Sequence, residues 1–169
     1  MVPDQNNDGM EDLLTINGGN ALANPYSKAD RYPGVLMLLD SKTGNVIAAD
    51  TMPDGKESYM TPLCFTQPGS NELFIVFGTG GETIDGNLYI STISQLLSKK
   101  LSSAKVIATE KGHGFIAPAV LADISEDGYL DIIAISHGSK AVAIDGKDHH
   151  ILWTKTFPAT ECSNSFAVG

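Results

Sequence analysis

Apolar residues occur along this chain in short runs, separated by Gly, Asp, Asn and Pro, as in LLTING, ELFIVFG and DIIAIS. Runs of this length bounded by turn residues, with β-branched and aromatic side chains, predict β-strands. Only the stretch ISQLLSKKLSS (93–103) has helical spacing, and it lies inside one predicted hairpin loop. The pattern therefore predicts an all-β fold.

One unit of this pattern recurs along the chain. Strands that begin at Asp12, Glu72 and Asp131 lie about 60 residues apart. Each is followed by a second strand, a tight turn and a third strand, and short apolar strands such as TPLCFTQ and APAVLAD precede it. Four short strands per repeat are typical of a β-propeller blade. Residues 1–169 thus predict about three four-stranded blades, with repeats at 4–66, 67–122 and 123–169.

Three blades are fewer than the four to eight that usually close a propeller. An open set of blades leaves strand edges and sheet faces uncovered. We therefore expect these residues to be an internal stretch of a larger propeller, or a segment whose open ends a partner covers.

Two turns between the first and second strands carry an oxygen-rich motif. Residues 4–12 read D-x-N-x-D-G-x-x-D, and residues 123–131 read D-x-S-x-D-G-x-x-D. Oxygens at positions 1, 3, 5, 7 and 9 converge around a sharp bend at Gly, and such hard donors select Ca²⁺. The predicted ligands of two calcium sites are Asp4, Asn6, Asp8, the Met10 carbonyl and Asp12, and Asp123, Ser125, Asp127, the Tyr129 carbonyl and Asp131.

Two other structures share part of this motif. An EF-hand requires Glu at position 12 and a following helix, but Thr15 and Ala134 stand there and strands follow. Alternatively, Asp, Asn and Gly stabilise a surface turn without any metal. The middle turn, QPGSNE (67–72), lacks the acids, and we expect it to bind no metal.

The loops and their flanks, as in GFIAPAVLADISEDGYLDIIAIS, resemble FG-GAP repeats of integrin alpha-like propellers. The segments LLDSKTGNVIAA and AIDGKDHHILW resemble motifs of quinoprotein-like propellers. These resemblances imply calcium-bearing blades. Trp153 is the only tryptophan, Ala48 stands at the equivalent position of the first repeat, and DHH replaces the usual T-G, so the tryptophan ring of a quinoprotein is incomplete here.

Composition excludes several partner classes. The net charge is −9 with 11 scattered Lys and Arg, which leaves no basic face for nucleic acid. No apolar run is long enough to span a membrane, and the N-terminal residues MVPDQNND lack the charged and apolar regions of a signal peptide, so we expect any export signal to lie outside these residues. Calcium sites of this kind fill best outside the cytoplasm, so we expect a secreted or cell-surface protein. The sequence neither requires nor excludes a disulfide between Cys64 and Cys162.

Long loops lie at the end of the predicted blades opposite the calcium loops. Tyr26, Arg31, Tyr32 and Glu82 are candidates there for contact with a protein or glycan ligand, although solvated insertions would look the same. No Ser, Cys or carboxylate is placed to form a nucleophile–base pair with any of the four histidines, and no phosphate-binding Gly loop precedes a helix.

Two functions remain from the sequence. The first is a non-catalytic, calcium-binding propeller module that mediates adhesion, ligand binding or protein assembly, with neighbouring blades as further partners. The alternative is part of a propeller enzyme, a quinoprotein dehydrogenase or a polysaccharide lyase, whose catalytic groups lie outside this segment. A bound quinone or cleavage of an acidic polysaccharide would identify the second.

Overall fold

The fold is all-β, as the apolar pattern predicts, and consists of three antiparallel sheets. A computed structural model describes residues 1–24, 27 and 31–168. Sheet 1 contains β1 (Leu13–Asn17), β2 (Val35–Leu39) and β3 (Val46–Thr51). Sheet 2 contains β4 (Leu63–Phe65), β5 (Phe74–Gly78), β6 (Gly86–Thr92) and β7 (Lys105–Glu110). Sheet 3 contains β8 (Val120–Ala122), β9 (Asp131–Ile135), β10 (Lys140–Ile144) and β11 (Ile151–Thr156).

Each sheet is a meander in which strands pair in chain order. Sheet 1 has three strands rather than the predicted four, and a single antiparallel bridge between Val2 and Asp12 stands in the place of its first strand. Val2 and Asp12 exchange both backbone hydrogen bonds, each at 2.9 Å, and the chain then enters the loop at 4–12, so the pairing does not extend past this bridge. The predicted second and third repeats start at residues 67 and 123, one strand after sheets 2 and 3 start at β4 and β8.

The short helix predicted within 93–103 is present. Helix α1 (Ile93–Leu97) begins at a capping box, in which Thr92 and Gln95 satisfy each other's backbone N–H groups. A 3₁₀ turn at Leu101–Ser103 follows it, and both lie between β6 and β7. Ile93 and Leu96 are buried in the apolar cluster between sheets 1 and 2, so this connection also contributes to the core.

The three sheets pack face to face in a stack. Alternating residues of β5 point to opposite sides: Ile75 and Phe77 pack with Leu36 of sheet 1, whereas Val76 packs with Ile132 of sheet 3. Sheet 2 is therefore buried on both faces, which explains its nearly continuous apolar strands. This arrangement gives one apolar layer on each side of the middle sheet.

The two ends of the stack differ. The outer face of sheet 3 is covered in part by Cys162 and Phe166, which pack on Ile135 and Ala141. The outer face of sheet 1 leaves Val46 57% exposed. The described residues form an open stack and not a closed ring. Cys64 and Cys162 are both free thiols.

The turns of the meanders separate into two groups at opposite ends of the strands. At the turn end, the first-to-second and third-to-fourth strand turns meet, as shown by the N–H of Gly146, which donates to Asp131 at 2.9 Å. At the loop end, the second-to-third strand loops meet the inter-sheet connections, as where the N–H of Gly80 donates to the carbonyl of Glu57 at 2.8 Å. The two predicted calcium loops lie at the turn end. None of the described helices is long and apolar enough to cross a membrane.

Candidate functional site

The first predicted metal loop, residues 4–12, is wrapped around the carboxylate of Asp4. Its Oδ1 accepts from the N–H groups of Asn6 and Asn7, at 3.1 and 2.7 Å, and its Oδ2 accepts from Gly9 at 2.8 Å. The bend is left-handed at two positions, Asn7 (φ 63°) and Gly9 (φ 88°). Gly is favoured at position 6 of the motif because it adopts this conformation without strain.

The second predicted metal loop, residues 123–131, repeats this geometry. The N–H of Gly128 donates to Asp123 Oδ2 at 2.9 Å, the same position-6-to-position-1 bond as in the first loop. Glu126 and Gly128 have φ values of 58° and 87°. Two loops of different sequence thus share their bend at positions 4 and 6 and their central hydrogen bond.

Three of the four side chains at positions 3 and 5 also accept from backbone N–H groups. In the first loop, Asn6 Oδ1 accepts from the N–H of Asp8, and Asp8 Oδ1 accepts from Met10 at 2.9 Å. In the second loop, Asp127 Oδ1 accepts from Tyr129 at 2.9 Å. Each of these carboxylate and amide oxygens retains a further lone pair, which a cation would use.

The aspartates at position 9 are buried and bonded to the backbone. Asp12 is 1% exposed, and its Oδ2 accepts from the N–H of Gln5 at 2.7 Å. Asp131 is fully buried, and its Oδ2 accepts from Ile124 and Ser125, both at 2.9 Å. These two residues close their loops in addition to any role as ligands.

The remaining predicted ligands lie at the surface. Asn6, Asp8, Met10, Asp123, Ser125 and Asp127 are exposed, and Asp4 and Tyr129 are half-buried. The N–H of Gly9, with those of Asn7 and Asn6, lowers the pKa of Asp4 below its ordinary value, so this carboxylate is ionised at neutral pH. The donor set of both loops is oxygen alone, which fits calcium.

Neither predicted metal loop brings three carboxylates to one point. Among the described residues, one group of three or more acidic, His or Cys side chains has its ligand atoms within 4.8 Å of one another, and it consists of Asp145, Asp148 and His150. Both loops share the left-handed bend at positions 4 and 6.

The Asp145 group sits in the β10–β11 turn and is explained by turn chemistry. Asp145 Oδ1 accepts from the N–H groups of Lys147 and Asp148, at 2.8 and 2.9 Å. Asp40 makes the same two bonds, to Lys42 and Thr43, in the β2–β3 turn of sheet 1. The acidic group therefore corresponds to a turn that is also found in sheet 1.

The middle turn (67–72), which we expect to bind no metal, contacts the second loop. Gln67 is buried, and its Nε2 donates to the carbonyl of Leu130 at 2.9 Å. Its Oε1 accepts from the N–H of Leu130 at 3.0 Å. Sequence reasoning missed this contact because no local pattern shows which backbone a glutamine will reach.

A pocket of about 420 Å³ opens at the loop end of the stack. It is lined by Asn20, Arg31, Glu57, Tyr59, Glu82 and Ile116, among others. Arg31 Nη1 donates to Glu57 Oε2 at 2.7 Å, and the Tyr59 hydroxyl donates to the same oxygen at 3.1 Å. Burial, and next the negative charge of Glu57, raise the pKa of Tyr59, so its hydroxyl stays protonated.

Two of the four residues predicted to contact a ligand line this pocket. Arg31 and Glu82 line it, whereas Tyr32 is 63% exposed and is not among its lining residues. Tyr26 lies outside the described residues. Glu57 and Tyr59 were not predicted, because they lie in a connection whose sequence, DGKESYM, resembles any polar turn.

Arg31 also holds the wall of the pocket. Its Nε donates to the carbonyl of Ser27 and its Nη2 to that of Asn24, both at 3.1 Å. The guanidinium therefore ties the β2 side of the loop to Glu57. Gly81 lies opposite, and a Cβ there would lie 2.4 Å from Glu57 Oε1 and so displace this carboxylate.

No protein-family model matches this chain, and no curated protein matches it.

Proposed function

We propose that the chain is a non-catalytic, calcium-binding β-propeller module of a secreted or cell-surface protein, in which each of the three sheets is a blade. The observation that supports this most is the shared geometry of the two loops. Both place left-handed residues at positions 4 and 6 and bond the position-6 N–H to the position-1 carboxylate.

Calcium explains why each loop concentrates negative charge. Positions 1, 5 and 9 are Asp in both loops, and the loops contain no Lys or Arg. Like charges held close together repel, and a divalent cation with six to eight oxygen ligands relieves that repulsion. Exposed oxygens at positions 1, 3 and 5 leave each loop open to an ion from solution.

The first prediction concerns stoichiometry. Isothermal titration of the wild-type protein with calcium should give two bound ions, because both loops have the same bend and oxygen donors. Asp8→Ala and Asp127→Ala should each bind one, and the double variant none. Glu11→Ala is the matched control, since it removes one charge from the first loop at a position that supplies no ligand. A wild-type protein that binds no calcium would refute the proposal.

We also place the ligand site of this module at the loop-end pocket. A volume of about 420 Å³ lies in the range of small-ligand sites. The pocket combines the half-exposed ring of Tyr59 with two carboxylates and one guanidinium, groups that suit hydroxyl and amine donors of a glycan or a protein side chain. Glu57, Glu82 and Arg31 carry a net charge that disfavours anionic ligands.

The second prediction tests this pocket. On an array of neutral and amino-sugar glycans with cationic peptides as a second panel, Tyr59→Ala should abolish the binding that the wild type shows, because it removes the aromatic surface and a partner of Glu57. Tyr32→Ala is the control, because Tyr32 is an exposed tyrosine outside the pocket lining. Equal binding by wild type and Tyr59→Ala would exclude the pocket.

A further inference from the structure

The middle turn is occupied by a glutamine that belongs structurally to the neighbouring sheet. Gln67 is 8% exposed, although it lies in a surface turn of sheet 2. Its side-chain amide bonds to Leu130 and Gly146, at the turns of sheet 3, through both its oxygen and its nitrogen. A buried amide with these bonds stabilises one fixed arrangement of the two sheets.

The bonds of Gln67 reach the second metal loop at its last turn. Its Oε1 accepts from the N–H of Leu130 and its Nε2 donates to the Leu130 carbonyl, so both polar groups of this residue are held. Leu130 lies between Tyr129, the predicted carbonyl ligand, and Asp131, the predicted ligand at position 9. The glutamine therefore fixes the backbone between two predicted ligands.

A second path runs through the β10–β11 turn. Gln67 Nε2 also donates to the carbonyl of Gly146 at 3.2 Å, and the N–H of Gly146 donates to Asp131 Oδ1 at 2.9 Å. The approach is close, because a Cβ on Gly146 would lie 2.1 Å from the Leu130 carbonyl oxygen and 2.8 Å from Gln67 Nε2. The same amide thus also holds the group that orients the Asp131 carboxylate.

The first loop has no such support among the described residues. All side-chain hydrogen bonds of residues 4–12 stay within residues 3–12. The two loops share their internal geometry but differ in what lies beside them. This difference provides an internal control for the role of Gln67.

We propose that Gln67 is a positioning residue for the second calcium site, and that this contact couples calcium binding in residues 123–131 to the packing of sheet 2 on sheet 3. The inference rests on the proposed calcium function of the loops. Residues that orient metal ligands from outside the ligand set are commonly worth about 10- to 100-fold in affinity. The middle turn, which lacks acids of its own, thereby serves the metal site of its neighbour.

The test measures each loop separately. In an Asp8→Ala protein, which keeps only the second site, Gln67→Ala should weaken calcium binding about tenfold or more by isothermal titration. In an Asp127→Ala protein, which keeps only the first site, Gln67→Ala should leave the calcium affinity unchanged. Asn71→Ala is the matched control, because it removes an exposed amide from the same turn and should affect neither site.

A second variant and a second readout separate the outcomes. Gln67→Met keeps the length of the side chain but loses all three hydrogen bonds, and it should weaken the second site as much as Gln67→Ala. Without calcium, amide exchange at Leu130 should be faster in Gln67→Ala than in wild type, since this N–H loses its acceptor. An intact first site shows that the variant is folded.

If the wild type binds two ions and Gln67→Ala leaves the calcium affinity of the second site unchanged, this inference is overturned and the calcium function stands. A wild-type protein that binds no calcium would overturn both. Unchanged exchange at Leu130 would show that the amide contact itself does not form in solution.

Discussion

At Asp131, one fully buried carboxylate accepts three backbone N–H groups, from Ile124, Ser125 and Gly146. Three donors on one carboxylate hold it in one orientation. Spacing alone predicts this residue as a ligand, because it occupies position 9 of the motif. The structure adds that it also joins the loop to the next turn, which residue type and spacing do not reveal.

The third prediction concerns a single residue, His150. Its Nδ1 lies 2.6 Å from Asp148 Oδ1, and this hydrogen bond raises the pKa of His150 above its ordinary value of 6.5. A raised folded-state pKa means that the ion pair stabilises the fold below the unfolded pKa and that this contribution is lost as the pH rises through the folded pKa.

Titration of His150 by NMR should therefore give a pKa above 6.5, and Asp148→Asn should lower it. The Asn variant retains a similar shape but removes the negative charge. A His150 pKa that is the same in both proteins would contradict the hydrogen bond. The result also distinguishes a protonated turn histidine from a metal-bound one, which cannot hold a proton on its ligand nitrogen.

At the scale of elements, the apolar pattern predicts most of the strands because each is short, β-rich and bounded by turn residues. The runs at residues 13–17, 74–78 and 131–135 form strands, and the helical spacing at 93–103 forms α1 and a 3₁₀ turn. The prediction of a fourth strand in sheet 1 is wrong, because Val2 makes only a single bridge, to Asp12. Pairing of a terminal strand depends on its neighbours more than on its own residues.

In the turns, a local motif predicts the backbone bends but not the contacts with other sheets. Bends at Gly9 and Gly128 are predictable, because a fixed motif places Gly where φ must be positive. The contact from Gln67 to Leu130 spans 63 residues and depends on how two sheets are packed. The same is true of the ion pair between Arg31 and Glu57, which forms only once the loop end is assembled. Local patterns contain no information on such pairings.

At the scale of the whole molecule, the three sheets form a stack whose stability depends on two apolar layers and on the loops at each end. Net charge of −9 works against the compact state, and two acid-rich loops concentrate part of that charge at the turn end. Calcium bound only to the folded protein would therefore stabilise the stack as well as the loops, by mass action.

The most direct test of this account is thermal unfolding with and without a calcium chelator. At a hundredfold excess of calcium over its dissociation constant, each site contributes about 2.7 kcal/mol, and two sites together should raise the melting temperature by roughly 10–20 °C in a chain of this size. Asp8→Ala and Asp127→Ala should each lose part of this difference, and the double variant should lose all of it. A wild-type melting temperature that is the same in calcium and in chelator would contradict the account.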